Sequence, residues 1–348
     1  MYKYYFKLLT KIYSMRNLSL LEYFRELESR TEPVYRFRAE SIEEWKEWRI
    51  KLREKLWKLL GELPDEKVPL NPEILEEFER GGIVIRKVIY DVEENFSVPA
   101  YLLLPREVKG KLPAIVAFHG HGRGKEDVVG LVKNEVEYQV YIAKYNYDYA
   151  YKFARRGYIV LAPDGRTFGE LSKDRVNCDW GFKMAILLGR TIVGLRVWDA
   201  MRSIDYLQSL PEVDSERIAC IGLSWGGAWT VYTTALDDRV KVAVVSGYFG
   251  SFRDMLIERS CCICQYIPRI RLYADVSDII ALIAPRPLLI EYGTRDPLYT
   301  YRVVLEEFEK LKRVYKLLGA EDRLDIDIFE GGHMFSGKKA FNWISKWL

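Results

Sequence analysis

Two hydrophobic periodicities divide the chain near residue 80. Before it the apolar positions recur at helical spacing. Ser41-Ile42-Glu43-Glu44 has the spacing of a capping box, and Ile42, Trp45, Trp48, Leu52, Leu56, Leu59 and Leu60 continue as one stripe that Gly61 closes. From Gly82 short apolar runs take over. Residues 83–92 and 96–105 read as two strands joined by the polar turn Glu93-Glu94-Asn95, hence an antiparallel pair. Further strands are predicted at 112–119, 158–164, 218–223, 240–247, 287–293 and 324–330. Helices are predicted at 144–156, 189–210, from Gly226 onward, at 301–318 and at 337–348. The 301–318 helix carries its apolar face on Val304, Leu305, Phe308, Leu311, Tyr315 and Leu318, and Gly319 ends it. Strands alternating with helices predict an α/β fold, a mostly parallel sheet with helices on both faces. The expected organisation is an N-terminal helical extension, 1–80, packed on a core domain, 81–348. Within that domain, 248–286 is long for a connection and reads as a lid or insertion.

One junction of these elements has chemical content. Ser224 stands between the strand 218–223 and the helix behind it, inside Gly222-Leu223-Ser224-Trp225-Gly226-Gly227. A serine at a tight strand-to-helix turn is lifted out of the sheet, and the backbone N–H after it points at whatever the hydroxyl attacks. Side chains at the flanking glycine positions would clash where strand and helix meet. A serine needs a base and an orienting acid. His333, in Glu330-Gly331-Gly332-His333, leaves the carboxyl end of the last strand and is the predicted base; Asp296, three residues past Gly293, is the predicted acid. Asp275 and Asp278 precede that strand and read as turn or cap residues.

His119-Gly120-His121-Gly122 follows the strand 112–119, where the N–H of His121 is expected to join that of Trp225 as an oxyanion hole. The His119 side chain reads as a brace for that loop. It is also a candidate substrate contact, together with Trp180, Tyr248 and Phe249. The 248–286 stretch, with Phe249, Phe252, Met255, Tyr266 and Tyr273, either folds over the serine or packs as aromatic core.

Composition narrows the setting. At 348 residues with 49% hydrophobic and 14% aromatic content the chain can build a large core, and a net charge of +3 without a basic tract argues against nucleic acid. Lys3, Lys7, Lys11 and Arg16 interrupt any apolar leader, and no run reaches membrane-spanning length. The expectation is a soluble cytoplasmic protein with reduced thiols, no nucleic-acid partner and no membrane partner. Cys261, Cys262 and Cys264 cluster, but no second Cys or His pair stands at ligand spacing, and no carboxylate lies near His119 and His121. No metal site is therefore expected. A disulfide from the cluster to Cys178 is left open. Three Gln and seven Asn against 30% charged residues lean toward a heat-adapted source. The stripe on 42–60 packs on the core or also makes a homo-oligomer interface.

The chain from about Gly82 onward resembles the α/β-hydrolase superfamily, in its branch of acetyl xylan esterases and dienelactone-hydrolase-like esterases. The matching motifs are His119-Gly120-His121-Gly122, Ala162-Pro163-Asp164-Gly165-Arg166, Gly222-Leu223-Ser224-Trp225-Gly226-Gly227, the Ala284-Pro285-Arg286-Pro287 run, Gly293-Thr294-Arg295-Asp296 and Gly331-Gly332-His333. The resemblance implies an eight-stranded sheet with its second strand antiparallel. It implies ester cleavage through an acyl-enzyme without metal or organic cofactor, and a small-molecule ester substrate such as a small or sugar acetate. Two alternatives stand beside it. A serine peptidase of the prolyl-oligopeptidase kind shares the serine turn, but 80 helical residues cannot make its β-propeller. A non-catalytic binding protein on a hydrolase fold would have no use for the intact Ser, Asp and His.

Overall fold

The computed structural model of the protein describes residues 16–64 and 66–348, so the reading of the first fifteen residues lies outside it. One sheet of nine strands runs through the molecule: β1 (Glu73–Arg80), β2 (Ile83–Glu93), β3 (Phe96–Pro105), β4 (Leu112–Phe118), β5 (Ile159–Pro163), β6 (Val213–Leu223), β7 (Val240–Ser246), β8 (Leu288–Gly293) and β9 (Leu324–Phe329). The spatial order is β1-β2-β3-β5-β4-β6-β7-β8-β9. β1, β2, β3 and β5 pair antiparallel in turn; β5, β4, β6, β7, β8 and β9 are parallel.

Eight of these strands match the predicted ones to within a few residues at their ends, apart from β6, which begins five residues earlier. The ninth, β1, corrects the expected count and lies in the segment read as helical. Its sequence, Glu-Ile-Leu-Glu-Glu-Phe-Glu-Arg, has no clean two-residue alternation, because it is an exposed edge strand. Pairing with β2 fixes it instead. Arg80 faces Ile83 across a two-residue turn of Gly81 and Gly82, both at positive φ, the backbone that tight hairpins demand. Arg86 and Glu77 add a cross-strand ion pair at 2.6 Å.

The two faces of the sheet sort by alternation. On β7, Ala243 and Val245 join the cluster that holds the helices Ile192–Ser209 and Trp225–Leu236, while Val242 and Val244 face the helices Tyr149–Ala154 and Ala340–Trp347. The helix Ile42–Leu60 belongs to the first cluster. Its Ser41 cap accepts from the Glu44 N–H, and Leu52, Leu56 and Leu60 are wholly buried. Leu60 O accepts from both the backbone and the hydroxyl of Thr191, which fastens the helix end to the start of Ile192–Ser209. Among the described residues no helix is long and apolar enough to cross a membrane.

Candidate active site

The parallel strands β4, β6, β7, β8 and β9 all end at one edge of the sheet, and the loops leaving that edge carry the residues singled out above. Ser224, directly after β6, has φ 62° and ψ −122°, a strained backbone for a residue with a Cβ. Its neighbours explain how the strain is held. A Cβ on Gly222 would lie 2.2 Å from Gly226 O, and one on Gly226 would lie 2.1 Å from Phe118 O. Strand β6, the helix behind it and the end of β4 therefore touch backbone to backbone, and larger residues would force them apart. The Ser224 N–H donates to Ser246 O at 2.8 Å, tying the turn to the end of β7.

Asp296 and His333 meet. Nδ1 of His333 is 2.6 Å from Oδ2 of Asp296, whose side chain is almost fully buried. The other carboxylate oxygen, Oδ1, accepts the Leu298 N–H at 2.9 Å, so the acid is fixed at both ends. The imidazole lies against the end of β7, where a Cβ on Gly247 would come within 2.9 Å of its Cε1. Its loop is anchored from below. Glu291, buried in β8, accepts the N–H groups of Ser336 and Gly337 at 3.0 and 2.9 Å, and burial pushes its pKa up to about 7.

Ser224 and His333 line one cavity of about 550 Å³. Nε2 of His333 is buried and has no hydrogen-bond partner among the described residues, so the Ser224 hydroxyl makes no direct hydrogen bond to it. Asp275 and Asp278 do not reach this cavity; they form the capping box of the helix Val276–Ala281.

The remaining sequence candidates divide. His119 is wholly buried and does not contact the cavity. Its Nδ1 lies 2.7 Å from Gly120 O, its Nε2 accepts the Gly165 N–H at 2.8 Å, and burial lowers its pKa to about 4. The neutral ring braces two loops, and the substrate-contact reading is corrected. Tyr248 and Phe249 are buried in the core and Trp180 is half exposed on the helix Cys178–Leu187; none lines the cavity. The indole of Trp225 is buried with the Arg196 guanidinium 4.7 Å over it, so the side chain does not reach the cavity.

The walls come from residues that pattern reading passed over. Val140, Tyr141, Lys144, Tyr145 and Tyr147 supply one side, from irregular helical turns before Tyr149–Ala154. The 248–286 insertion supplies another, through Cys261, Cys262 and Gln265 rather than through its aromatics. A hint was present in the tyrosine-rich run 138–147, which is too dense in aromatics for a solvent-facing loop.

His121 has neighbours that ligand spacing in the sequence did not reveal. Its imidazole lies with the thiols of Cys178, Cys262 and Cys264, and the four ligand atoms are all within 4.8 Å of one another. The expectation of no metal site rested on the lack of a second ligand pair in the sequence. The fold assembles one from distant segments. All five cysteines are free, so no disulfide joins Cys178 to the cluster.

A family model described as "Abhydrolase family" matches residues 4–334. The chain belongs to that family. Among curated proteins, a relative is "Putative hydrolase YtaP" of Bacillus subtilis (strain 168), 30% identical over 311 residues, which cover 86% of this chain and all of that one. Among solved structures, the fold is similar to "a putative acetyl xylan esterase" from Bacteroides fragilis NCTC 9343, with a TM-score of 0.76 and 21% identity over 90% of this chain and 83% of that one. It is also similar to a glucuronoyl esterase from Solibacter usitatus, with a TM-score of 0.64 and 16% identity over 86% and 92% of the two chains. For this family member the nine-stranded sheet is the α/β-hydrolase fold with one antiparallel strand added at its edge.

Proposed function

We propose that the protein is a serine hydrolase that cleaves carboxylic esters through an acyl-enzyme on Ser224. The observation that carries this reading is the 2.6 Å Asp296–His333 bond beside a serine on a strained turn, with serine and imidazole facing one cavity. Asp296 holds a proton on Nδ1, which leaves Nε2 free to accept one. Ser224 then attacks the ester carbonyl while Nε2 takes its proton. The N–H of Trp225, at the start of a helix, and that of His121 receive the developing oxyanion. The alcohol departs with the proton from His333, and water repeats the sequence on the acyl-enzyme.

The substrate class we infer is small acyl esters, acetates of sugars among them. Tyrosines, Lys144 and Gln265 line the cavity, a set that can stack a polar ring and also hydrogen-bond to it, and the similar structures named above are called an acetyl xylan esterase and a glucuronoyl esterase. Five unpaired cysteines support a cytoplasmic setting. Linked ion pairs such as Lys67–Asp205–Arg239–Asp237 support a heat-adapted one.

The deciding experiment compares wild type with Ser224→Ala on p-nitrophenyl acetate and acetylated sugars. The variant is expected to stay folded and lose turnover. Undiminished turnover, or hydrolysis of a peptide amide but of no ester, would overturn the proposal.

A further inference from the structure

The cluster of one imidazole and three thiols draws on three parts of the chain: the loop after β4, the first residue of the helix Cys178–Leu187, and the insertion 248–286. His121 Nε2 is 3.5 Å from Cys264 Sγ and 3.8 Å from Cys178 Sγ, and the Cys262 and Cys264 sulfurs are 3.2 Å apart. Zinc–sulfur bonds of about 2.3 Å and zinc–nitrogen bonds of about 2.0 Å at tetrahedral angles place sulfurs roughly 3.8 Å apart and nitrogen roughly 3.5 Å from sulfur. The imidazole–sulfur separations are close to those of a tetrahedral ligand set, and the sulfur–sulfur separation, though shorter than the tetrahedral value, is far longer than the roughly 2.05 Å of a disulfide.

We propose that His121, Cys178, Cys262 and Cys264 bind one zinc ion as a structural site. Four protein donors complete the tetrahedron and leave no position for water or substrate, so the ion acts as a fastener rather than as a Lewis acid. The thiols must lose their protons on binding, which gives zinc with three thiolates and a neutral imidazole a net charge of −1.

The surroundings suit that charge. The Arg196 guanidinium is fully buried, and its Nη1 has no hydrogen-bond partner among the described residues. Thr167 Oγ1 accepts from Arg196 Nη2 at 2.9 Å and lies 3.5 Å from Cys178 Sγ, so its own O–H is left to donate to the thiolate.

The bound ion would join the His119–Gly122 loop to the insertion that walls the cavity. It therefore sets the shape of the cavity whatever the substrate, and the inference does not rest on the esterase reading. Its measurements use no substrate.

The test uses the tag-free full chain purified in reductant without added metal. Elemental analysis is expected to find one zinc per chain. Cys178→Ser and Cys264→Ser should lose it, while Cys261→Ser, outside the ligand set, should keep it. Thr167→Val should weaken zinc binding by about 10–100-fold. Stripping the ion should lower the melting temperature of the wild type and leave that of Cys264→Ser unchanged. Cobalt(II) added to the stripped wild type should give the intense bands of a tetrahedral thiolate site, displaced by zinc. A reduced, folded wild type that takes up neither ion overturns the proposal, and so does a Cys264→Ser chain that retains a full equivalent. Should the cysteine variants not fold, the wild-type cobalt spectrum decides alone: thiolate-to-cobalt charge transfer supports the site, and its absence overturns it.

Discussion

Changing Asp296 to Asn tests the proposed chemistry through the tautomer of one imidazole. Oδ1 of Asp296 accepts the Leu298 N–H at 2.9 Å, and Oδ2 faces His333 Nδ1 at 2.6 Å. In Asp296→Asn only the amide oxygen can accept the Leu298 N–H, so that bond dictates the orientation and turns the NH2 group toward Nδ1. The imidazole must then accept at Nδ1 and carry its proton on Nε2. That nitrogen can no longer take the Ser224 proton. The cavity, the serine turn and the buried packing are untouched, so KM should change little.

A wrong tautomer of this kind costs about 10⁴-fold in kcat in serine proteases. The fall expected here is about 10³–10⁴-fold, or about 4–5.5 kcal/mol of transition-state stabilisation. The assay is steady-state hydrolysis of p-nitrophenyl acetate, with circular dichroism and a melting curve to confirm an intact fold. Asp296→Ala makes the comparison sharper, because it removes the carboxylate without imposing either tautomer and should lose less than Asn does. A folded Asn variant within tenfold of wild type would refute the argument, for Nε2 would then not be the proton acceptor.

Other consequences can be measured independently. Leu56→Ala removes a wholly buried side chain between the N-terminal helix and the core and should cost about 2–5 kcal/mol in urea unfolding; a loss under 1 kcal/mol would mean the helix docks weakly. His119 is held below its unfolded pKa, at about 4 against 6.5, so the unfolded chain binds more protons between those values. Its stabilising contribution is present above about pH 6.5 and is lost as pH falls through 4, up to about 3 kcal/mol in all. His119→Gln retains an acceptor for the Gly165 N–H but cannot titrate, so its stability should fall less steeply over that window; equal slopes would remove His119 from the acid limb. The ion-pair networks predict a melting temperature above the 45–65 °C or so usual for mesophile domains, and a value inside that range would refute heat adaptation.

What was legible in the sequence follows from the range of the forces involved. The central strands announce themselves because both faces are buried, which leaves uninterrupted apolar runs such as the end of β6. The serine turn is legible because its steric demand is local: Gly222 and Gly226 are required by contacts within a few residues and with the adjacent strand end. Asp296 and His333 could be named since each leaves the carboxyl end of a strand, and strand ends converge. β1 escaped because an exposed, charged edge strand carries no burial signal, although Gly81-Gly82 between two short runs was a legible hairpin turn.

The cavity walls and the thiol cluster escaped for one shared reason. Periodicity says which loop leaves a strand but not which side chain on that loop reaches the interior. His119 and His121 are two residues apart on one loop; the first is sealed under it and the second faces cysteines 57 and 143 residues distant. Tyr248 and Phe249 were candidate cavity contacts and are core, whereas Tyr141 and Tyr147 drew no such reading and are wall. Rules of ligand spacing detect metal sites whose ligands come in local pairs, such as zinc fingers. A site built from the ends of three segments carries no such spacing, because the fold itself supplies the proximity. The same sheet edge that brings serine, imidazole and carboxylate together also gathers His121 and the cysteines, so both arrangements depend on the parallel strands ending in register.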